Sequence, residues 1–364
     1  MNICDLDTPS VLISMDVMER NLARLSEYCT QYNLKLRPHT KTHKIPELAH
    51  KQLSYGAIGV TVAKLGEAEV MADAGVEDIL IAYPLVGREK LRRFVALASR
   101  SRVTVAVDSL EVAEAISGSV APSGCRIGVL TEFNTGLRRC GLPVSASSVS
   151  LVERMSSLPG LEWRGLLVYP GHIMSNSSDL DLLIGRENSL LERLLELVNR
   201  AGLDCHVVSG GNTPTAYSSH RFAGVTEIRP GTYIFNDKNT VCAGAASWSD
   251  CAATILTTVV SRSVAGRAIL DAGSKTLSSD RLATGDQQGF GRILEYPQAI
   301  IEGLSEEHGH VDTSTMPEKM SIGERVRVIP NHVCVVMNLH DVVYGVEGER
   351  VVAKWRVAAR GKVT

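Results

Sequence analysis

The amino-acid sequence predicts an α/β chain made of an N-terminal (β/α)8, TIM-like barrel and a C-terminal, mostly antiparallel β domain. Three observations carry this prediction. Eight short, β-branched runs alternate with helix-length amphipathic segments, the alternation stops near residue 240, and 364 residues are too many for one ordinary core. The barrel is assigned to residues 10–240 and the β domain to 241–364, together with 1–15.

The run SVLISM (10–15) precedes a helix that starts near Asp16. It is assigned to the β domain because the barrel reaches eight strands without it. Those eight are LKLRP (34–38), AIGVTVA (57–63), DILIAYP (78–84), VTVAVD (103–108), RIGVLTEF (126–133), RGLLVY (164–169), CHVVSG (205–210) and TEIRPG (226–231). Between them lie KLGEAEVMADAG, GREKLRRFVALASR and SLLERLLELVNRAG, the last with leucines three and four apart. DAG and RAG put glycine just past the last periodic residue, where a helix ends well. Apolar strands alternating with helices build a parallel sheet, and eight of them close a barrel. No GxGxxG follows any strand, which counts against an open dinucleotide-binding sheet. After residue 240, AATILTTVVSRS, RAILDAGS, ERVRVIPNHVCVVMN and RVVAKWRVAARG read as strands joined by glycine or charged turns.

Composition narrows the function. Lys and Arg number 38 against 40 Asp and Glu, so the chain lacks the basic footprint of a nucleic-acid or anionic-membrane binder. No apolar run is long enough to cross a bilayer, and MNICDLDTPS does not resemble a secretion signal, so a cytoplasmic protein is expected. The eight cysteines form no CxxC pair and are expected to be reduced, most of them buried.

Nitrogen chemistry concentrates at one joint. LRPHTKTHKIPEL links the first barrel strand to a helix and carries Arg37, His39, Lys41, His43 and Lys44. Ends of barrel strands point into the active-site mouth. An amine held there, among apolar strand residues and beside other cations, is suited to form an imine with an aldehyde. The alternative is a solvated basic loop. A second stretch, SGGNTPT, follows the seventh strand. Its small residues, Asn212 and Thr213 ahead of a proline make a backbone-rich anion cradle, in the region where barrels bind phosphate; Gly-Gly also serves any tight turn. In the third, IPNHVC, His332 and Cys334 stand two apart on an expected strand, with both side chains on one face. Imidazole with thiolate suits zinc, and two protein ligands leave positions open for substrate. The alternative is a core cysteine beside a hydrogen-bonded histidine.

Read together, RPHTKTHK, GVTVAKLGEAEVMADAGVEDILIAYP, TGLRRCGLP, YPGHI, SGGNTPT, RPGTYIFND, LDAGSKTLSSD, LSEEHG and IPNHVC run in order across most of the chain. This set resembles the D-threonine aldolase / D-serine dehydratase family, alanine-racemase-like pyridoxal-phosphate enzymes of fold type III. The resemblance implies a homodimer that uses pyridoxal 5'-phosphate and a divalent metal. It implies that Lys41 carries the cofactor and acts in catalysis, and that His332 and Cys334 hold the metal. It also places Arg139 and Tyr169 near the cofactor ring and Gly211, Asn212 and Thr213 at its phosphate. One departure is Asn134 in TEFNTG, where the family pattern has an aspartate. His172 reads as a substrate contact or equally as a capping residue, His308 as a turn residue, Tyr233 and Arg229 as packing the barrel rim or reaching the phosphate, and His43 and Lys44 as structuring the turn.

The resemblance also frames the chemistry. Zinc-dependent dehydratases of D-serine or 3-hydroxy-D-aspartate carry a His-x-Cys pair, whereas the aldolases tend toward His-x-Asp with magnesium or manganese. The expected activity is therefore a dehydratase of a D-3-hydroxy amino acid, releasing a 2-oxo acid and ammonia. The alternatives are a metal-activated D-threonine aldolase, an amino-acid racemase, and a non-catalytic pyridoxal-phosphate carrier. The expected partner is a small D-amino acid, with no nucleic acid and no membrane.

Overall fold

The computed structural model describes residues 1–283, 289–316 and 320–364. The chain opens with a strand, β1 (Ser10–Ser14), and a helix, α1 (Met15–Gln31). Strands and helices then alternate: β2 (Lys35–Leu36), α2 (Pro46–Ser54), β3 (Val60–Val62), α3 (Leu65–Asp73), β4 (Asp78–Ile81), α4 (Arg88–Ala98), β5 (Arg102–Val107), α5 (Leu110–Val120), β6 (Ile127–Phe133), α6 (Ala146–Ser156), β7 (Leu161–Val168), α7 (Leu180–Arg200), β8 (Val207–Gly210) and β9 (Glu227–Ile228). Beyond them come α8 (Lys238–Cys242), β10 (Ala253–Ser261), β11 (Arg267–Leu270), α9 (Ser274–Leu277), β12 (Arg292–Ile293), β13 (Ile300–Leu304), β14 (Gly309–Asp312), β15 (Arg325–Ile329), α10 (Val333–Leu339), β16 (Val342–Glu347) and β17 (Arg350–Arg356). Among the described residues no helix is long and apolar enough to cross a membrane.

Two compact units result. One comprises Arg24–Lys41, Pro46–Gly231 and Gly361–Thr364; the other comprises Met1–Ala23, Thr42–Ile45 and Thr232–Arg360.

The first unit is a parallel sheet in the order β2-β9-β8-β7-β6-β5-β4-β3. Its two ends meet: His39 bridges Thr61, and the amides of Ile58 and Thr61 donate to the carbonyls of Leu36 and Pro38 at 2.9 and 2.8 Å. The sheet thus curls into a TIM-like barrel, and each of the eight runs singled out in the sequence supplies one strand. Strands β3 and β6 bury every residue, as parallel strands covered by helices do. Outside the sheet, α7 turns a stripe of Ile184, Glu187, Leu191, Leu194 and Val198 inward at helical spacing. Ser109 and Ser145 cap α5 and α6 by accepting from the amides of Val112 and Ser148, each worth about 1 kcal/mol. Inside, Leu80, Ala106, Leu130 and Leu167 pack together. Side chains alternate along a strand, so beyond Leu130 and Leu167 the next inward positions toward the C-terminal ends are those of Glu132 and Tyr169.

The second unit is a sheet in the order β13-β14-β11-β10-β1-β16-β17, with β15 pairing β10 and β12. Its pairings are antiparallel except β1 with β16, where Val11 lies opposite Val343. Leu6, Leu12, Leu256 and Val346 form one of its apolar clusters.

The strand expected at His332 and Cys334 is not formed: Val333–Leu339 is a short helix, and His332 is its N-cap. The valine-rich sequence favours a strand locally, but a buried carboxylate overrides it. Asp237 Oδ2 accepts the Val333 amide at 3.0 Å and caps the helix from a distant segment.

Candidate active site

Lys41 sits in a single 3-10 turn, Thr40–Thr42, just past β2. The turn is pinned by its neighbours: the Lys41 amide reaches His39 Nδ1 at 3.4 Å, and the His39 amide donates to Pro230 O at 3.0 Å. The lysine opens into a cavity of about 380 Å³, and the barrel unit also contributes Arg139, Tyr169 and Gly211 to its wall. Four of the six residues expected at the cofactor therefore meet in one place. The Arg139 guanidinium stacks 4.8 Å from the Tyr169 ring centroid, and its Nη2 lies 4.0 Å from Glu132 Oε1.

Asn212 and Thr213 follow Gly211 directly but do not line the cavity. The Asn212 side chain is spent on bracing its own loop: Nδ2 donates to Pro170 O at 2.8 Å, and Oδ1 accepts from both the amide and the hydroxyl of Thr215 at 2.8 Å. Gly211 adopts a left-handed φ of 75°, and a Cβ there would fall 3.0 Å from Ile228 Cβ, so only glycine fits the turn.

Residues to which the sequence assigned no firm role complete the wall. Glu132, His39 and Cys140 line the cavity, and so does Arg229, which lies inside rather than packing the rim. Burial raises the Glu132 carboxyl above its ordinary pKa, against the pull of Arg139 and Arg229. Burial also drags the fully enclosed Arg229 down to about 10, although Glu227 and Glu132 oppose it. The available signal was parity: Glu132 and Arg229 are charges at inward-facing positions, one in β6 and one just past β9. His172 lies outside the lining, its ring packed on Gly136, where a Cβ would meet Cε1 at 2.5 Å.

The second unit brings His332 and Cys334 together. His332 Nδ1 lies 3.4 Å from Asp237 Oδ2. Burial lowers the His332 pKa, but hydrogen bonds to Asp237 and Cys334 outweigh it and raise it to about 11. Cys334 Sγ is 3.3 Å from the Thr42 hydroxyl and 3.6 Å from that of Thr232. Among the described residues no group of three or more His, Cys, Asp or Glu side chains is arranged to hold a metal. Two protein donors, imidazole and thiol, are thus the set available, and Asp237 stands behind them.

A parallel (β/α)8 barrel with a lysine at the end of its first strand, facing a basic cavity, defines the alanine-racemase-like class of fold type III pyridoxal-phosphate enzymes. The alanine racemase N-terminal domain model matches residues 13–239, and the serine dehydratase domain model matches 252–346. The chain belongs to this family and is an enzyme of the lyase class. It is similar to a D-threonine aldolase from Arthrobacter (30% identity, 98% of this chain and 93% of that one). It is also similar to a D-threo-3-hydroxyaspartate dehydratase from Delftia (33%, 90% and 91%). Among solved structures, D-threonine aldolase from Filomicrobium marinum superposes with a TM-score of 0.93 at 32% identity, covering 100% and 98% of the two chains. A cysteine-to-alanine variant of a D-threo-3-hydroxyaspartate dehydratase in a metal-free form gives 0.90 at 30% identity, covering 98% of each chain.

The cavity suits a phosphorylated aldehyde. His39, Lys41, Arg139 and Arg229 set four nitrogen bases against the single carboxyl of Glu132, and Tyr169 offers an aromatic face.

Proposed function

We propose that the chain is a pyridoxal-phosphate- and zinc-dependent dehydratase of a D-3-hydroxy amino acid, such as D-serine or 3-hydroxy-D-aspartate, yielding a 2-oxo acid and ammonia. The observation that carries the choice is the donor pair. A thiolate beside an imidazole selects zinc over the harder magnesium and manganese, and zinc is the stronger Lewis acid toward a departing hydroxyl. The metal-free form of the dehydratase relative supports the presence of a metal.

In this reading Lys41 holds the cofactor through its Nζ, with Arg139 and Tyr169 at the ring and the Gly211 turn, followed by Asn212 and Thr213, at the phosphate. Bound pyridoxal phosphate supplies an electron sink for charge that develops at the substrate Cα. Lys41 Nζ would serve as the base that takes the substrate Cα proton. Leu167, Ala63 and Ala82 give the cavity an apolar wall. His332, its Nδ1 facing Asp237, and Cys334 would hold the zinc, which would supply Lewis acidity for expelling a hydroxyl. A homodimer in the cytoplasm belongs to the same reading.

The similarity to D-threonine aldolases, at comparable identity, favours a second reading in which the β-hydroxyl loses a proton and the Cα–Cβ bond breaks. Product analysis separates the two. The zinc-loaded holoenzyme, given D-serine, D-threonine and 3-hydroxy-D-aspartate, is expected to release 2-oxo acid and ammonia in equal amounts from at least one of them. Glycine and an aldehyde as sole products would refute the dehydratase.

A further inference from the structure

Arg229 is one end of a polar string that crosses the barrel interior. Its Nη1 donates to Ser209 Oγ at 2.6 Å and its Nη2 to the Val168 carbonyl at 3.0 Å. The Ser209 hydroxyl donates in turn to Glu227 Oε1 at 2.5 Å. Glu227 Oε2 accepts from Arg37 Nε at 2.8 Å, and Arg37 Nη1 donates to Asp78 Oδ1 at 2.6 Å. Asp78 opens β4, and its other oxygen meets Arg102 at 2.9 Å. Arg37, Glu227, Ser209 and Arg229 are all buried. Gly59 makes room for the string, since a Cβ there would fall 2.4 Å from Arg37 Nη1.

Stability alone does not account for this arrangement. Barrel interiors are filled well by branched aliphatic side chains, and burying ion pairs in their place is often neutral or unfavourable. What the string provides is orientation. A serine hydroxyl has one proton, and here Glu227 takes it, so only lone pairs face Arg229. With both Nη groups tied, the guanidinium plane is fixed. Charges alternate from Asp78 to Arg229, so each buried cation has an anion behind it.

We propose that Glu227 is a positioning residue for the bound cofactor: through Ser209 it fixes the plane of Arg229 and offsets the positive charge that Arg229 presents to the cavity. This rests on the reading of the cavity as a pyridoxal-phosphate site. The other charged or titratable groups facing Arg229 are Glu132 on β6, Arg139 in the loop after it and Tyr169 past β7. Lys41 and His39 share the same cavity.

The test uses the cofactor's own colour. Wild type, Glu227→Gln, Ser209→Ala and Ser209→Thr are loaded with pyridoxal phosphate, and the visible band is titrated with pH. Removing the Glu227 charge leaves the cavity more positive and disfavours the protonated form of the Lys41-linked chromophore. The midpoint of Glu227→Gln is therefore expected to fall by about half a pH unit or more. Ser209→Ala is expected to shift it the same way by less, and Ser209→Thr, which keeps the hydroxyl, to restore it. Folded variants that titrate at the wild-type midpoint overturn the proposal, even where their melting temperatures drop. Ser209→Ala leaves the Glu227–Arg37 pair intact and carries the test if Glu227→Gln does not fold. Borohydride treatment of the loaded wild type is expected to fix a pyridoxyl group on Lys41. Its absence there overturns the cofactor reading itself, a failure distinct from an unmoved midpoint.

Discussion

Glu187 shows what a single misplaced charge does to a core. It occupies a position of the α7 stripe where spacing calls for an aliphatic residue, and it is 2% exposed. Neither carboxyl oxygen has a hydrogen-bond partner, and the buried Thr135 hydroxyl facing it closes none. Burial raises its pKa to about 7, with Thr135 pulling weakly the other way. In the fold the group is therefore neutral only below about pH 7, whereas in the unfolded chain it ionises near its ordinary value. The raised folded pKa makes its contribution full below the unfolded value and lost as pH rises through about 7. The loss amounts to about 3 kcal/mol between mildly acid and mildly alkaline pH. Urea melts of wild type and Glu187→Gln at both ends of that window measure it. Wild type is expected to lose stability toward high pH relative to the variant; parallel pH profiles for the two proteins would disprove the assignment. The sequence exposes the oddity, a glutamate on an apolar stripe, but not its isolation, which depends on what the loop after β6 brings opposite.

At the scale of elements, strands were easier to read than the chemistry they carry. The eight barrel runs are legible because a strand sealed on both faces must be apolar throughout. The same rule makes Glu132 and Arg229 conspicuous: each is a charge at an inward position, one in TEF and one in EIRPG. Asn212 went the other way, since its side chain braces the turn and leaves Gly211 on the cavity wall. Helix α10 could not be read locally. Its valines favour a strand, and what makes it a helix is Asp237, nearly a hundred residues earlier in the chain. That carboxylate serves three groups: Oδ1 caps α8 at the Thr240 amide (2.9 Å), while Oδ2 caps α10 and faces His332 Nδ1. Asp237→Ala is accordingly expected to cost about 1 kcal/mol for each lost cap. If His332 holds zinc as proposed, the substitution should also weaken that binding about 10- to 100-fold, through the unanchored imidazole. Chelator competition on the purified variant checks this; unchanged zinc affinity would show that Asp237 does not orient the histidine.

For the whole molecule, architecture and reaction part company. Alternation, strand count and the change of texture near residue 240 define the architecture, because burial and period constrain them along the entire chain. The reaction is not constrained that way. An aldolase and a dehydratase share this fold at 30% and 33% identity to the chain, so neither the barrel nor the lysine chooses between them. The choice must rest on a few atoms, and in the proposed reading Cys334 Sγ is the donor that differs in kind from an oxygen ligand. Replacing it tests that directly. Cys334→Asp keeps an anionic ligand beside His332 but exchanges soft sulfur for hard oxygen. Zinc affinity is expected to fall about tenfold or more, while manganese binding is retained or improved. If product formation follows the ligand, the ratio of glycine to 2-oxo acid should rise with the substitution when manganese is supplied. A variant that binds zinc as tightly as wild type would mean the sulfur is not a ligand, and the dehydratase reading would lose its main support.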